Sequence, residues 1–310
     1  MKVWKGLSGK IEGSVITSGI FDGIHIGHQT LIKKTIEHAK EKGLPSILLT
    51  FHPHPRSATF ILAEKERERL IEGLGIDIMV ILDFNELKDL PPERFIKEIL
   101  IEALGMKEIW VGSDHRFGKG QEGDVELLRE LSGKYNFEVF CMKDITLENE
   151  RVSSSKVKEF LSLGRIQEVE RLLGRPYTAD FSVIKGAGRG KEMGAKTANM
   201  DWPDIFNPKL GVYGVKVKIV NGQWSIDNFI DGEWLDGIGN LGRRPTFSEK
   251  KLIFEVHIFG FSKNLYGKNL SVQFLEWIRD EINFESKEAL SAQIKKDIKR
   301  WKDSPKMFHS

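Results

Sequence analysis

One cysteine, Cys141, is all the thiol that these 310 residues contain. No disulfide framework and no cysteine-based zinc site can form within one such chain. It sits in the apolar run "FEVFCM", where a buried, inert thiol is expected. Long hydrophobic runs are missing too. No stretch approaches the roughly 18 apolar residues of a membrane span, and the opening "MKVWKGLSGK" lacks the apolar core of a leader, so a cytoplasmic protein is expected. Nor does one sign of charge dominate: Lys and Arg total 47 against 45 Asp and Glu, a formal +2. That balance argues against a dedicated nucleic-acid binder, yet a pocket for an anionic ligand needs only a few cations. Internal repeats and low-complexity segments are absent as well.

What is present is ordinary globular material. The composition is 40% hydrophobic and 30% charged, too apolar for disorder. At 310 residues the chain exceeds the size at which one core stops growing, so two domains are expected. In the first half, short apolar runs ("SVITSGIF", "SILLTF", "IDIMVIL", "KEIWVG", "FEVFCM") alternate with helical stretches ("QTLIKKTIEHAKEKG", "AEKERERLIEGLG", "PERFIKEILIEALG", "DVELLRELSGKY"). This alternation predicts a parallel sheet with helices on both faces, a fold that binds ligands at the carboxyl ends of its strands. Two more helices are expected at "SSKVKEFLSLG" and "IQEVERLLG". Near residue 178 the texture changes. Runs such as "GVYGVKVKIV", "NGQWSIDNFIDG", "KLIFEVHIFGF" and "LSVQFLEWI" are separated by glycine and proline clusters. They predict an antiparallel arrangement closed into a small barrel, with a last helix capped by Ser286. Domains of 1–178 and 179–310 are therefore expected.

Chemistry concentrates first in "GIFDGIHIGH", residues 19–28. A strand ends in a glycine turn and a helix opens around His28, whose free N–H groups and partial positive charge suit phosphate. Gly23 and Gly27 let backbone approach a ligand, and His25 and His28 are placed to donate to phosphoryl oxygens. Two other readings stand beside this one. His-x-His in "TFHPHP", with His115, is a ligand spacing for a metal, although a metal site would need neither the glycine turn nor the helix start. A plain histidine cap accounts for His28 alone.

The four blocks "GIFDGIHIGH", "TFHPHP", "GSDHRFGKGQEGD" and "RVSSSKVKEFL" occur in that order. The first is similar to the G-x-F-D-G-x-H-x-G-H signature of the nucleotidylyltransferase superfamily. Together they resemble the adenylyltransferase half of the bifunctional bacterial riboflavin kinase/FAD synthetase family. The resemblance implies a Rossmann-like nucleotidylyltransferase domain in which FMN phosphate attacks the α-phosphorus of ATP, giving FAD and pyrophosphate. It implies nucleotide binding by Gly19, Phe21, Gly23, Gly27, His25 and His28, and by Ser153, Ser154, Ser155 and Lys158. It implies flavin binding by Phe51, Pro53, His54, Asp114, Arg116 and Phe117. His115 stands where the family has Phe. Lys158 stands where it has Arg, so a bidentate phosphate contact becomes a point charge.

A second constellation begins at "GAGRGKEMGAKTANM", residues 186–200, which is glycine-rich without the Gly-Lys-Ser/Thr ending of a Walker loop. A surface loop is the plain reading. Further on, alternation along "FEVHIF" puts Phe254, Val256 and Ile258 on one face and Glu255, His257 and Phe259 on the other. A carboxylate in an apolar strand is costly unless satisfied or used. From "TAN" through "GIGNLGRRPTF" and "FEVHIF" to "SKEALSAQIKKDI", the second half resembles the riboflavin kinase module of the same family, an antiparallel β-barrel with a C-terminal helix. The resemblance implies phosphorylation of riboflavin by ATP. Thr197 and Asn199 would hold Mg²⁺, Gly186, Gly190 and Gly194 would bind nucleotide, and Glu255 would act as general base. The family's Gly-Phe-Pro-Thr-Ala-Asn is here Gly194-Ala195-Lys196-Thr197-Ala198-Asn199, which loses apolar bulk and a fixed φ before the metal ligands. The implied partners are small molecules (riboflavin, FMN, ATP), with no nucleic acid or membrane.

Overall fold

Runs too short and too apolar for surface helices become strands here, and the amphipathic stretches between them become helices. The computed structural model describes residues 1–54, 57–184, 197–220, 233–245, 250–261 and 263–304. The chain divides into two compact units, Met1–Lys156 and Val157–Ser310.

The first unit holds β1 (Lys2–Lys5), β2 (Ser14–Ser18), β3 (Ser46–His52), β4 (Ile78–Asp83), β5 (Met106–Gly112) and β6 (Glu138–Met142). They form one parallel sheet in the order β1-β4-β3-β2-β5-β6. All five expected runs are strands. The addition is β1, whose "KVWK" is too short and too charged to stand out. The helices are α1 (Ile26–Lys42), α2 (Glu64–Leu74), α3 (Phe84–Leu87), α4 (Pro92–Arg94) and α5 (Val125–Tyr135). After α4 the chain continues as a π-helix, Phe95–Ala103, whose wider turn a 3.6-residue period does not anticipate. A small hairpin, β7 (Thr146–Leu147) and β8 (Glu150–Arg151), leads to α6 (Ser154–Leu163).

Alternation along the strands sends side chains to opposite faces of the sheet. Ile47, Leu49, Val80 and Leu82 join one core with Phe95 and Leu128. Leu48, Met79 and Ile81 join the other with Leu31, Ile32 and Ile71. Each such fully buried side chain contributes about 1.5–3 kcal/mol. Helices thus cover both faces, as a parallel sheet requires. Cys141 departs from expectation: it is only half-buried, because β6 is an edge strand. Strand order reverses about β2, which opens a crevice beyond the carboxyl ends of β2 and β5.

The second unit contains α7 (Ile166–Leu173), which packs against β9 (Tyr177–Ile184) and β14 (Asn269–Arg279), so residues 157–178 stand with the barrel here. With β10 (Ala198–Asp201), β11 (Gly211–Val220), β12 (Leu235–Pro245) and β13 (Lys250–Ile258), these strands close an antiparallel barrel in the order β10-β13-β12-β11-β14-β9. Among the described strands, closure leaves no unpaired edge. The interior is aromatic: Phe254 lies 5.1 Å from Phe274 and 5.5 Å from Phe181 between ring centroids. The expected strand at 221–232 lies outside the described residues. The last helix, α8 (Lys287–Asp303), is capped as expected by Ser286, which accepts the Ala289 N–H at 3.1 Å. Its Trp301 packs with Val212, Ile238 and Leu275, and Asp297 binds Arg279 at 2.8 Å.

Candidate active site

Residues 19–25 join β2 to α1 through backbone that favours glycine. Gly23 has φ 83°, and a Cβ there would lie 3.0 Å from Ile61 Cδ1, so conformation and space both select glycine. The helix begins at Ile26, earlier than expected, and its cap is His25 rather than His28. Nδ1 of His25 accepts the His28 N–H at 3.3 Å, which satisfies one of the free donors of the first turn. The two imidazoles stack with centroids 3.6 Å apart and planes 17° apart. Phe21 meets His28 edge-on at 5.3 Å.

A second helix start lies close by. Ser153 Oγ accepts the Lys156 N–H at 3.2 Å, capping α6, while Ser154 Oγ donates to the Asp22 carbonyl at 2.8 Å. That bond ties one helix start to the loop before the other. Both border a cavity of about 550 Å³, whose walls include Gly19, Phe21, His25, Gly27, His28, Ser153, Ser154 and Ser155. Two helix N-termini border one space, and the free N–H groups of such termini favour anions. Lys88, Lys143 and Arg151 add cationic side chains to the wall.

The same cavity is lined by Phe51, Asp114, Arg116 and Phe117. Phe51 lies 6.2 Å from Phe95, and Phe95 lies 5.8 Å from Phe117, giving the cavity an apolar aromatic wall. His115 stacks on Phe117 at 5.5 Å and 25°, so the wall has a polar edge. Asp114 Oδ2 accepts from Arg151 at 2.6 Å. Arg116 binds Asp124 at 2.7 Å. The Asp124 carboxyl is held below the usual carboxylate range, first by the Leu127 N–H that it caps and then by Arg116.

Other expected residues are not in the cavity wall. Gly23 turns beneath Ile61. Pro53 precedes His54, whose Nε2 lies 3.4 Å from Asp22 Oδ2 and whose ring lies 4.6 Å from Phe60. Lys158 belongs to the second unit, its Nζ 5.7 Å from the Phe206 ring. Among the described residues, no group of three or more His, Cys, Asp or Glu is placed to hold a metal ion.

On the barrel, register sets Asn199 and Asn240 on either side of Glu255. Phe254, Val256 and Ile258 are buried, so Glu255 shares the other face with these two amides. Asn199 is 7% exposed and Glu255 is half-buried. Thr197 is exposed just before β10. Asn240 Nδ2 donates to Glu281 Oε1 at 3.2 Å. Gly186, Gly190 and Gly194 lie outside the described residues.

Comparison with known proteins matches each half separately. A family model described as FAD synthetase covers residues 8–156, and one described as riboflavin kinase covers residues 173–304. The chain belongs to the bifunctional riboflavin kinase/FAD synthetase family. Membership makes it an enzyme of FAD biosynthesis from riboflavin. Its relatives include proteins named bifunctional riboflavin kinase/FMN adenylyltransferase. The one from Haemophilus influenzae is 32% identical over 296 residues, covering 93% of each chain. The one from Pseudomonas fluorescens is 34% identical over 295 residues, covering 93% of this chain and 91% of that one. A solved structure named for a macrolide-efflux protein from Streptococcus pneumoniae matches with a TM-score of 0.85 at 27% identity, covering 98% of this chain and 100% of that one. That name belongs to that protein. Here, no described helix is long and apolar enough to cross a membrane.

Some residues around the family's site carry no sequence signal of their own. Asp22 lies inside the motif, yet a loop aspartate ordinarily reads as solvated. Here it is 1% exposed and receives the Ile61 N–H at 2.6 Å. Arg151 precedes the serines and was legible only as a charged residue beside a helix start.

Proposed function

We propose that the cavity of the first unit binds ATP and FMN together and transfers the adenylyl group between them. The observation that supports this most is the meeting of two helix N-termini and an aromatic wall around one space where strand order reverses. Gly19, Gly27, His25, His28, Ser153 and Ser155 take the triphosphate, and Phe51, Phe117 and their aromatic neighbours take the flavin ring. An oxygen of the FMN phosphate bonds to the α-phosphorus of ATP, the bond from that phosphorus to the bridging oxygen breaks, and pyrophosphate leaves. No side chain is the nucleophile. Because Nδ1 of His25 accepts the His28 N–H, a neutral His25 carries its proton on Nε2, where it remains a donor. Stabilising developing charge with such fixed donors is the main catalytic device.

The barrel carries the preceding step in this proposal. Glu255 takes the proton of the riboflavin 5′-hydroxyl, whose oxygen bonds to the γ-phosphorus of a second ATP while ADP leaves. Thr197 and Asn199 would offer the hydroxyl and amide oxygens that Mg²⁺ accepts, with substrate phosphates completing the shell. Magnesium, when bound, supplies neutralisation of phosphate charge. Lys158 as a nucleotide contact and Pro53 and His54 as flavin contacts stay in the proposal, and a cytoplasmic setting goes with ATP as co-substrate. Product analysis tests it. Riboflavin with Mg-ATP should yield FMN and then FAD. FAD formed only from supplied FMN would remove the kinase assignment, and neither product would remove both.

A further inference from the structure

The loop between β2 and α1 holds a conformation that its own residues resist. Phe21 and Ile24 have φ of 51° and 45°, a region costly for any side chain and most of all for a β-branched one. Such backbone persists only where its surroundings over-determine it. Here side chains from several elements grip the loop's carbonyls. Ile20 O accepts from Thr50 Oγ1 at 3.1 Å and from Arg67 Nη1 at 3.2 Å. Ile24 O accepts from Gln29 Nε2 at 2.9 Å.

Arg67 is the anomaly among these. It is 1% exposed and lies 3.9 Å over the Phe60 ring. Its Nε and Nη2 have no hydrogen-bond partner among the described residues. Burial pushes its pKa down, opposed by the attraction of Asp22 and Glu64. A buried cation whose fork is incompletely paired costs stability, and buried ionic groups can often be replaced by apolar side chains of similar volume without loss. Packing alone does not need this charge. Among the described residues, the side-chain hydrogen bond that it makes is to the carbonyl from which the costly loop departs.

We propose that Arg67 is a positioning residue for adenylyl transfer: by fixing the Ile20 carbonyl, it sets the loop that presents His25 and His28 to the cavity. This rests on the adenylyl-transfer assignment above. The test compares the full chain with Arg67→Met and Arg67→Lys, following FAD formation from FMN and Mg-ATP, FMN formation from riboflavin, and the thermal midpoint. Arg67→Met should unfold at the same or a higher temperature and form FMN at the same rate, while kcat for FAD formation falls roughly 10²-fold, the scale of a misplaced reacting group. Arg67→Lys, which keeps a charge and a donor, should restore about tenfold of that loss. An unchanged kcat in Arg67→Met overturns the inference, as does a loss that appears only with a lowered midpoint. Should Arg67→Met fail to fold, Thr50→Val removes the other donor to the same carbonyl with little change of shape. A lower kcat then supports the inference and an unchanged one ends it. If the unaltered chain makes no FAD from FMN, the assignment beneath falls first, and this inference with it.

Discussion

A methyl group on Gly27 would lie 3.1 Å from Cε1 and Nδ1 of the His25 ring. Alanine is the better helix former by as much as about 1 kcal/mol, so Gly27→Ala should leave the fold at least as stable. The imidazole must yield by a few tenths of an ångström, and kcat for FAD formation should fall about tenfold, less than the loss expected from a full ångström of misplacement. Steady-state kinetics beside a melting curve checks both halves of that expectation; an unchanged kcat would mean that the position of His25 is not critical. At this scale the sequence exposed residues through spacing. His25, His28 and the serines at 153–155 stand in short motifs whose geometry follows from a turn and two helix starts. Arg67 did not stand out, because "EKERERL" reads as a solvated helix face and only the tertiary fold buries Arg67, with Glu66 beside it. His54 stands in a motif that implies flavin contact, and its ring lies beside Asp22 and Phe60.

Elements were more legible than single contacts, because strand and helix periods are written over many residues. Five sheet strands, the main helices and the cap at Ser286 follow from pattern alone. The exceptions have physical causes. β1 is too short to show alternation, and β12 is "LDGIGNLGRRP", whose glycines weaken any strand signal although its neighbours hold it in the barrel. The turn from β5 toward α5 offers a test with pH. Asp124 caps α5 through Leu127 and also binds Arg116. Its carboxyl is held below the ordinary value, so its stabilising effect is present above the unfolded carboxylate pKa and is lost as pH falls through the lower folded one. Asp124→Asn keeps a capping oxygen but not the titration. Thermal midpoints measured down from neutrality should therefore fall less steeply in the variant below about pH 4. Parallel curves would mean that the Asp124 carboxylate adds nothing beyond what the amide supplies.

Over the whole molecule, chain order and chemistry agree. The first unit presents the helix starts and the aromatic wall, the second presents Glu255 between two amides, and the two family matches divide along the same sequence. Composition foretold two domains because 310 residues outgrow one core. The central claim is that each unit performs its own phosphoryl chemistry, and paired substitutions test it most directly. With riboflavin and Mg-ATP, His28→Ala should form FMN normally while FAD formation drops roughly 10²–10³-fold, the loss expected for one transition-state donor. Glu255→Gln should lose about 10²–10⁴-fold of FMN formation, as for a general base, yet still convert supplied FMN to FAD. Chromatography of the products reads both outcomes. Either substitution impairing the two steps equally would contradict the account.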